Sequence, residues 1–418
     1  MKGRREMVWL GVLFFALLLG GVLFGWSQIM PSNESASAVL KPESIVMTIG
    51  GDARTTMAFT WQTEGKAGGA GILQLMEGDG TVSSWNDSGV LTIEAKSTEI
   101  EAGRGSSSGG QYTVHKALAT GLRPGTAYVY RVGNGQEGGW SVPSGFVTEA
   151  AEPQAFTFIN VSDSQGEKKS DFKLWARTLD KAFQTFPDAR FIVHNGDLTE
   201  NPDEEQGWKW LFGQASKWLT RVPLMPVAGN HDEVSGDASA FASHFRLPEN
   251  GAEGATPGTT YTFDYGFVHF VVLNTESNLK RQTAWLKEDL RKNGKPWTIV
   301  AMHRPAYGGN QYDKIEDWIQ VFDEYGVDLV LQGHNHEYSR SYPLRDGQIA
   351  PDGKGTVYVV TNTSGPKFNV LKKDKFYHAL HSQPNEQTFA GITVSELTLT
   401  YAAYAVDGGK LDEFTLTR

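Results

Sequence analysis

The sequence contains no cysteine among its 418 residues. A disulfide-stabilised scaffold, a thiolate zinc site and a cysteine nucleophile are therefore all excluded. Positive charge is also scarce, because 38 Lys and Arg residues stand against 48 Asp and Glu residues, for a formal net charge of −10. The field of such a chain repels nucleic acids and other polyanions, so we expect no nucleic-acid binding. A phosphorylated ligand would have to be captured by local positive charge.

The remaining composition is that of a globular protein. Hydrophobic residues make up 39% of the chain, and 12 residues are tryptophan, which is ample for a substantial core. The length exceeds one typical domain and suits two domains plus a targeting segment.

The N-terminus carries a long apolar run. Lys2, Arg4 and Arg5 precede an uncharged stretch from Val8 to Trp26, which as a helix would span roughly 28 Å, about the thickness of the hydrocarbon core of a bilayer. Basic residues on its N-terminal side predict a cytoplasmic N-terminus with the remainder outside. We expect residues 1–30 to be a signal peptide or an uncleaved membrane anchor and residues 31–41 a linker. The body would then be extracytoplasmic, either secreted or anchored at the cell surface.

Short alternating apolar runs fill residues 42–150, separated by clusters of Gly, Ser and Asn. Examples are Thr56–Thr63 and Ala127–Val132. This pattern predicts an antiparallel all-β sandwich. The segment around Tyr128 resembles the turn into a late strand of fibronectin type III modules, which implies a tyrosine corner at Tyr128 and a buried Trp61. We assign both residues to packing.

The pattern changes beyond Pro153. Apolar strands alternate with amphipathic helices as far as Gly333, and antiparallel strands follow to the C-terminus. Residues 153–418 are therefore expected to form a second domain with a mixed two-sheet core and helices outside.

Potential metal ligands follow five of the apolar strands, at the point where each strand ends. The residues are Asp163 in SDSQ, Asp197 in NGDLTE, Asn230 and His231 in GNHDE, His303 in MHRP, and His334 and His336 in GHNH. Side chains at the carboxyl ends of neighbouring strands meet in one crevice. A single such Asp is usually a turn residue or a helix cap, but five clusters in order predict a metal centre.

The residue types fit this interpretation chemically. Hard oxygen ligands mixed with neutral imidazoles suit Mn, Fe or Zn rather than Ca. A carboxylate such as that of Asp197 can bridge two cations. The flanking Gly196, Gly229 and Gly333 allow the backbone to turn sharply and approach the metals.

These motifs resemble those of the calcineurin-like metallophosphoesterases and, among them, the purple acid phosphatases. The resemblance extends over essentially everything from Pro42 onward and implies a β-sandwich followed by a four-layer αββα catalytic domain. It also implies a centre of two divalent or trivalent metal ions, held by the following residues: Asp163, Asp197 and His336 for the first ion, and Asp197 as a bridge with Asn230, His303 and His334 for the second. His231 would face the substrate, where it would stabilise the transition state or protonate the leaving group.

The sequence departs from the family pattern at three places. Glu200 replaces the metal-binding Tyr that gives purple acid phosphatases their colour, so we expect a protein that is not purple, in which Glu200 is either a metal ligand or a residue that contacts the ligands. Gln165 replaces a superfamily His and would be a weaker metal ligand or a hydrogen-bond donor next to the ligands. Tyr312 and Asp313 fall roughly where plant members have further substrate-facing His residues.

The resemblance implies hydrolysis of phosphate esters by a metal-activated hydroxide that attacks the phosphorus in line. Arg304, next to His303, is interpreted either as a phosphate clamp or as an Arg that does not touch substrate. We expect a phosphomonoesterase of the acid phosphatase type, acting on a phosphorylated small molecule or surface polymer. Alternatives are a phosphodiesterase of nucleotides or surface polymers and, from another class, a non-catalytic surface adhesion module.

Other polar residues receive ordinary interpretations. Asp232 and Glu233 are expected to orient neighbouring groups rather than bind metal. His115 and His244 are expected to be solvated. His378 and His381 precede the final strands in a segment that could cover the site, but we interpret them as loop residues without a special function.

Overall fold

The structure is a computed structural model that describes residues 40–65, 70–79, 84–101 and 111–418. The predicted signal or anchor at residues 1–30 and nearly all of the predicted linker at 31–41 lie outside these ranges, so both stay predictions. In the part of the chain that is described, no helix is both long enough and apolar enough to cross a membrane. Residues Lys41–Arg418 form one compact unit.

The N-terminal domain consists of two four-stranded antiparallel sheets. Its strands are β1 (Glu43–Thr48), β2 (Met57–Glu64), β3 (Ile72–Glu77), β4 (Leu91–Glu94), β5 (Lys96–Glu101), β6 (Gln111–Ala119), β7 (Ala127–Gly133) and β8 (Ser144–Val147). One sheet has the order β1-β2-β6-β5 and the other β4-β3-β7-β8. The sandwich expected from the alternating pattern is confirmed.

Two aromatic residues of this sandwich have the packing roles expected of them. Trp61 is fully buried. The hydroxyl of Tyr128 accepts a hydrogen bond from the backbone N–H of Arg123 at 2.8 Å, which ties the turn to the start of β7 as a tyrosine corner does. The fibronectin type III assignment itself stays a prediction.

The C-terminal domain alternates strands and helices before it becomes all-β. Its elements are β9 (Phe156–Val161), α1 (Lys169–Thr185), β10 (Ile192–His194), α2 (Glu205–Gln214), α3 (Ser216–Leu219), β11 (Leu224–Pro226), α4 (Ser239–His244), β12 (Tyr261–Tyr265), β13 (Val268–Val272), α5 (Leu279–Lys292), β14 (Trp297–Ala301), a 3-10 turn (Asp313–Ile315), α6 (Glu316–Tyr325), β15 (Leu329–Gln332), β16 (Tyr338–Ser341), β17 (Leu344–Arg345), β18 (Gln348–Ile349), β19 (Val357–Thr361), β20 (His378–Ser382), β21 (Thr388–Val394), β22 (Thr398–Ala405) and β23 (Lys410–Thr417).

Two mixed sheets form the core of this domain, with the orders β11-β10-β9-β21-β22-β23 and β12-β13-β14-β15-β19-β16-β20. The sheets pack face to face through aromatic side chains. The ring of Phe158 in β9, for example, lies 5.3 Å from that of Phe270 in β13 in an edge-on contact, a favourable aromatic geometry. The two-sheet core expected from the sequence is confirmed.

The helices cover the outer faces of the sheets because each presents one apolar stripe. In α1, Phe172, Trp175, Leu179 and Phe183 recur at helical spacing and are all buried. On the other sheet, α5 and α6 contribute Leu286 and other side chains to a separate apolar cluster with residues of β14 and β15. The result is the expected four-layer αββα order.

The expectation that His115 and His244 are solvated is wrong. Both are buried, and burial is tolerated because their ring nitrogens have polar partners. His115 contacts the hydroxyls of Thr63 at 3.0 Å and Ser97 at 2.8 Å. His244 stacks on a tryptophan of α2 and lies 3.2 Å from a carboxylate oxygen of Glu205.

Candidate metal centre

The predicted ligands come from both sheets of the core. Asp163, Asp197 and Asn230 follow β9, β10 and β11, which are parallel neighbours in the first sheet. His303 and His334 follow β14 and β15, which are parallel neighbours in the second. The sequence predicted convergence at the carboxyl ends of strands, and the structure adds that two sheets, not one, supply the ligands.

These side chains form two donor clusters that share one residue. Ligand atoms of Asp163, Asp197 and His336 all lie within 4.8 Å of one another, and so do those of Asp197, His303 and His334. The closest approaches include 3.1 Å between His336 Nε2 and Asp163 Oδ1 and 3.2 Å between His303 Nε2 and Asp197 Oδ2. Asp197 is thus placed to bridge two cations.

Asn230 completes the second cluster. Its Oδ1 lies 3.2 Å from His303 Nε2, so an amide oxygen, a carboxylate oxygen and an imidazole nitrogen meet at one point. This is a mixed oxygen and nitrogen donor set of the kind that Mn, Fe and Zn accept.

Two of the imidazoles are oriented by backbone carbonyls. Nδ1 of His303 donates to the Asn195 carbonyl at 2.8 Å, and Nδ1 of His336 donates to the Lys367 carbonyl at 3.1 Å. These bonds fix the tautomer and leave each Nε2 facing the carboxylates. Imidazoles that bind metals are commonly held in this way.

The backbone around the ligands is unusually close and strained. Asp163, Asp197, His334 and His336 all have positive φ, of 52°, 56°, 71° and 45°, a conformation that L residues adopt rarely. A Cβ added to Gly229 would overlap Oδ1 of Asp197 and lie 2.5 Å from its backbone nitrogen. Strain of this type concentrates at functional sites.

Burial and neighbouring charge set the ionisation of the cluster. Burial alone would raise the pKa of Asp197, but His303 and the hydrogen bonds to the carboxylate hold this pKa well below its usual range. Asp197 in turn raises the pKa of His303 against the effect of burial. The carboxylate is therefore held as an anion, which is the form that binds a cation.

Asp232 lies behind the centre, as expected of a residue that orients. Its carboxylate accepts hydrogen bonds from the backbone N–H groups of Asp197, Leu198 and Gly229. Burial and the neighbouring Asp197 raise the pKa of Asp232 to about 7. Glu233 is also buried, and its Oε2 accepts from Asn274 Nδ2 at 2.5 Å.

Gln165 lies directly against the predicted ligands. Its Nε2 is 3.3 Å from Asp197 Oδ2 and 3.3 Å from His336 Nε2. Its Oε1 is buried without a hydrogen-bond partner among the residues described, an expensive arrangement for an amide oxygen. A half-turn of the amide would direct that oxygen at the cluster. The orphaned oxygen and the shared Asp197 both fit a two-ion centre.

His231 and Glu200 lie at the mouth of the site. The backbone N–H of His231 donates to Asp197 Oδ1 at 2.8 Å, and its Nδ1 donates to the Glu200 carbonyl at 2.8 Å. The imidazole therefore has Nε2 available for another partner, and about 30% of the side chain is exposed. The Glu200 carboxylate forms an ion pair with Lys367, so the residue that replaces the Tyr of purple acid phosphatases is held by a cation.

Arg304 is tied to protein groups. Nε lies 2.8 Å from Glu276 Oε1, and Nη2 lies 3.0 Å from Glu276 Oε2, while Nη1 is 3.2 Å from His334 Nε2. The ring of Tyr312 lies below the guanidinium at 5.3 Å. Arg304 is thus held by Glu276 next to His334, and this geometry favours the interpretation in which it does not clamp phosphate.

Glu276 and Lys367 are site residues that the sequence did not reveal. Glu276 follows β13 in a loop without a metal-ligand motif, and Lys367 lies in the irregular segment between β19 and β20. For Glu276 the one signal in the sequence was Arg304 beside a predicted ligand, because a partly buried Arg usually has an acidic partner.

Two family models match the chain. The model described as calcineurin-like phosphoesterase matches residues 156–338, and the model described as purple acid phosphatase, N-terminal domain, matches residues 42–148. The first spans all the predicted ligands, and the second spans the β-sandwich.

Curated relatives agree with these models. An uncharacterized protein of Mycobacterium tuberculosis is 27% identical over 361 residues, covering 76% of this chain and 65% of the relative. Purple acid phosphatase 23 of Arabidopsis thaliana is 30% identical over 310 residues, covering 62% and 64%. Human acid phosphatase type 7 is 27% identical over 318 residues, covering 66% and 70%. The chain thus spans slightly less than two thirds of the length of the first two relatives.

Solved structures share the fold. The chain is similar to purple acid phosphatase PPD1 from yellow lupin seeds, with a TM-score of 0.77 and 17% identity over 91% of this chain and 75% of the other. It is also similar to PhoD, with a TM-score of 0.63 and 12% identity over 90% of each chain.

Proposed function

Because this chain belongs to the calcineurin-like phosphoesterase family and carries the N-terminal domain of the purple acid phosphatases, we propose that it is a metal-dependent hydrolase of phosphate esters. The observation that carries the proposal is the shared membership of Asp197 in two donor clusters. One bridging carboxylate between two sets of donors is the arrangement that holds a pair of cations a few ångströms apart.

The ligands divide between the two ions by cluster. Asp163, Asp197 and His336 would hold the first ion, and Asp197, Asn230, His303 and His334 the second. When bound, the pair supplies Lewis acidity that activates water and neutralises charge on the phosphoryl group. The neutral amide of Asn230 contributes an oxygen without adding negative charge beside the substrate.

His231 is the residue that we assign to the leaving group. Its backbone N–H donates to Asp197 and its Nδ1 donates to the Glu200 carbonyl. The ring is therefore held next to the ligands, and its Nε2 has no hydrogen bond to the residues that the structure describes. A protonated Nε2 would donate its proton to the departing oxygen, which is general acid catalysis.

Local positive charge near the site would capture the phosphate despite the net charge of −10. Arg304 faces His334, and Lys367 lies beside Glu200 at the mouth. Lys367 is about 38% exposed, so it is the cation that can turn towards a bound anion. We propose a phosphomonoesterase, because a monoester carries the larger charge for such a group to bind.

The location that we propose is extracytoplasmic, secreted or anchored at the cell surface. It depends on the apolar stretch from Val8 to Trp26 and the basic residues before it, which together have the pattern of a signal or anchor. Protease treatment of intact cells would test it: degradation of the protein at the surface, or its recovery from the medium, supports the proposal, and protection inside the cell contradicts it.

Turnover by purified full-length protein tests the activity. The protein would be assayed with a chromogenic phosphate monoester and the corresponding diester, after chelation and after addition of Mn, Zn or Fe. We expect monoester turnover that chelation abolishes and metal restores. The variant Asp197→Asn should behave like the chelated protein, while Asp407→Asn, the same change at an exposed turn, should behave like the wild type.

Each other result has a distinct meaning. A preference for the diester would replace the monoesterase assignment by the phosphodiesterase alternative. Turnover that survives chelation would contradict the metal-dependent mechanism. No turnover of either ester by metal-loaded protein would favour the non-catalytic adhesion module.

A further inference from the structure

A second group of metal-binding side chains lies where β20 begins. Ligand atoms of Asp374, His378 and His381 all lie within 4.8 Å of one another. None of the three belongs to the candidate metal centre. Asp374 lies near the end of an irregular segment, residues 362–377, that links β19 to β20, and the two His residues lie in β20 itself.

The two imidazoles present the same edge to one carboxylate. Nδ1 of His381 is 2.8 Å from Asp374 Oδ1, and Nδ1 of His378 is 3.8 Å from the same oxygen. The ring centroids of the two His residues are 4.1 Å apart. Three potential ligand atoms therefore surround one point.

The opposite edges of both rings face acceptors. Nε2 of His378 lies 3.3 Å from the Gly308 carbonyl, and Nε2 of His381 lies 3.4 Å from Glu337 Oε2. The Gly308 carbonyl can only accept a hydrogen bond, so Nε2 of His378 carries the proton and the lone pair lies on Nδ1. The ring of His381 lies between two carboxylates, with Asp374 at Nδ1 and Glu337 at Nε2. The backbone N–H of Lys375 donates to Nδ1 of His378 at 3.2 Å, in agreement with this tautomer, and an ion bound at Nδ1 would replace this hydrogen bond.

The buried side chain of Glu337, behind His381, is a second and independent observation that favours a cation at this site. Its side chain is fully buried, and Oε2 accepts a hydrogen bond from the backbone N–H of Lys372 at 2.8 Å. Oε1 of Glu337 and Nε2 of His381 are both buried without a hydrogen-bond partner in the described part of the chain. A buried carboxylate next to an incompletely paired imidazole is costly unless positive charge is close by. A cation on the far side of His381 would provide it.

We propose that Asp374, His378 and His381 bind a divalent transition-metal ion, with Zn²⁺ as the model ion, at a site separate from the candidate hydrolytic centre. Two imidazoles and one carboxylate form a donor set that Zn²⁺ accepts. Glu337 would be the carboxylate that orients a ligand imidazole from behind. Because about 82% of the Asp374 side chain is exposed, water completes the coordination.

The site would fasten the segment that borders the hydrolytic centre. Within residues 362–377, the Lys367 carbonyl accepts from His336 Nδ1, and Asn369 Nδ2 donates to the Asn335 carbonyl at 2.6 Å. An ion at Asp374 ties the far end of this segment to β20. It is structural and takes no part in ester hydrolysis.

Metal content measured in a background without the hydrolytic centre tests the proposal independently of the proposed function. Full-length protein carrying Asp163→Asn and Asp197→Asn would be equilibrated with micromolar Zn²⁺, and bound zinc would be counted by mass spectrometry. We expect one ion per chain in this background and none when Asp374→Asn and His378→Gln are added. Adding Asp407→Asn instead is the matched control and should leave the ion in place.

Limited proteolysis with trypsin is a second measurement, which does not depend on the number of zinc ions bound. Lys372, Lys373 and Lys375 lie in the exposed part of the segment, and bound Zn²⁺ should slow cleavage there severalfold in wild-type protein but not in the Asp374→Asn variant. Equal zinc content with and without Asp374 and His378, or cleavage that zinc does not change, would overturn the proposal.

Discussion

Asp232 supports Asp197 from below: one oxygen of its carboxylate lies 2.7 Å from the backbone nitrogen of Asp197. The same oxygen lies 2.9 Å from the nitrogen of Gly229, and the other lies 3.1 Å from that of Leu198. One buried carboxylate therefore joins the loop after β10 to the loop after β11, and it sets the direction in which Asp197 points.

The variant Asp232→Asn tests this support. An amide keeps one acceptor but places an NH₂ group against backbone donors, so the loops should separate. We expect metal affinity and turnover to fall about 10- to 100-fold, the usual effect of losing a group that orients ligands. Metal content and kcat would be measured on protein whose circular dichroism matches the wild type. Unchanged values in a folded variant would show that Asp232 does not orient the ligands.

The variant Gly229→Ala should displace the backbone at the candidate metal centre. The added Cβ would meet the backbone nitrogen of Asp197 at 2.5 Å, and a backbone atom cannot rotate away. We expect a loss of turnover comparable to that of Asp232→Asn. Gly213→Ala is the control, because this glycine lies in α2 with nothing within 4 Å of the added methyl, and it should stabilise the fold by up to about 1 kcal/mol. Equal activity of both variants would contradict the close approach.

Arg304→Lys should not rescue the loss caused by Arg304→Met. The guanidinium contacts Glu276 with two nitrogens and His334 with a third, and a lysine cannot reproduce that planar fork. If Arg304 positions His334, both variants should lower kcat more than they raise KM. A selective rise in KM that lysine largely restores would identify Arg304 as a phosphate clamp instead.

His269 should make the stability of the fold depend on pH far from the metal centre. Burial alone would lower its pKa, but hydrogen bonds to Asp264 and Asp289, both at 2.7 Å, raise this pKa to about 9. A raised folded-state pKa stabilises the protein fully below the unfolded value near 6.5, and the contribution is lost as the pH rises through 9. We expect a contribution on the order of 1–3 kcal/mol.

Urea unfolding at pH 6 and at pH 9.5 measures this contribution. Wild-type protein should lose stability between the two values beyond any loss in His269→Gln, which keeps a polar side chain but does not titrate. Identical pH dependence in the two proteins would contradict the assignment. Because the two aspartates lie on β12 and α5, the effect concerns folding and not turnover.

Much of the candidate site follows from sequence because it is made of local signals. Each of Asp163, Asp197, Asn230, His303 and His334 comes directly after an apolar strand, so their convergence could be predicted from strand direction alone. The assignment of these strands to two different sheets could not be predicted from the sequence, because β9 and β14 are equally apolar and would look the same in either sheet.

Partners that are distant in sequence were beyond prediction for a different reason. Glu276 pairs with Arg304, and Lys367 with Glu200, through loops whose course no periodicity specifies. His115 and His244 were mistaken for solvated residues because a polar side chain looks exposed until its partners are known. A polar side chain can be buried when other residues provide hydrogen-bond partners for it, and the tertiary structure decides which residues those are.

The positive φ angles at Asp163, Asp197, His334 and His336 affect how this protein should be mutated. Asparagine enters the left-handed region more readily than other non-glycine residues, so an Asp→Asn exchange removes a metal donor while the loop keeps its course. A β-branched replacement would remove the metal donor and also strain the backbone. The loss of activity in such a variant could not be attributed to coordination alone. The choice of substitute therefore decides whether an experiment at these positions probes chemistry or folding.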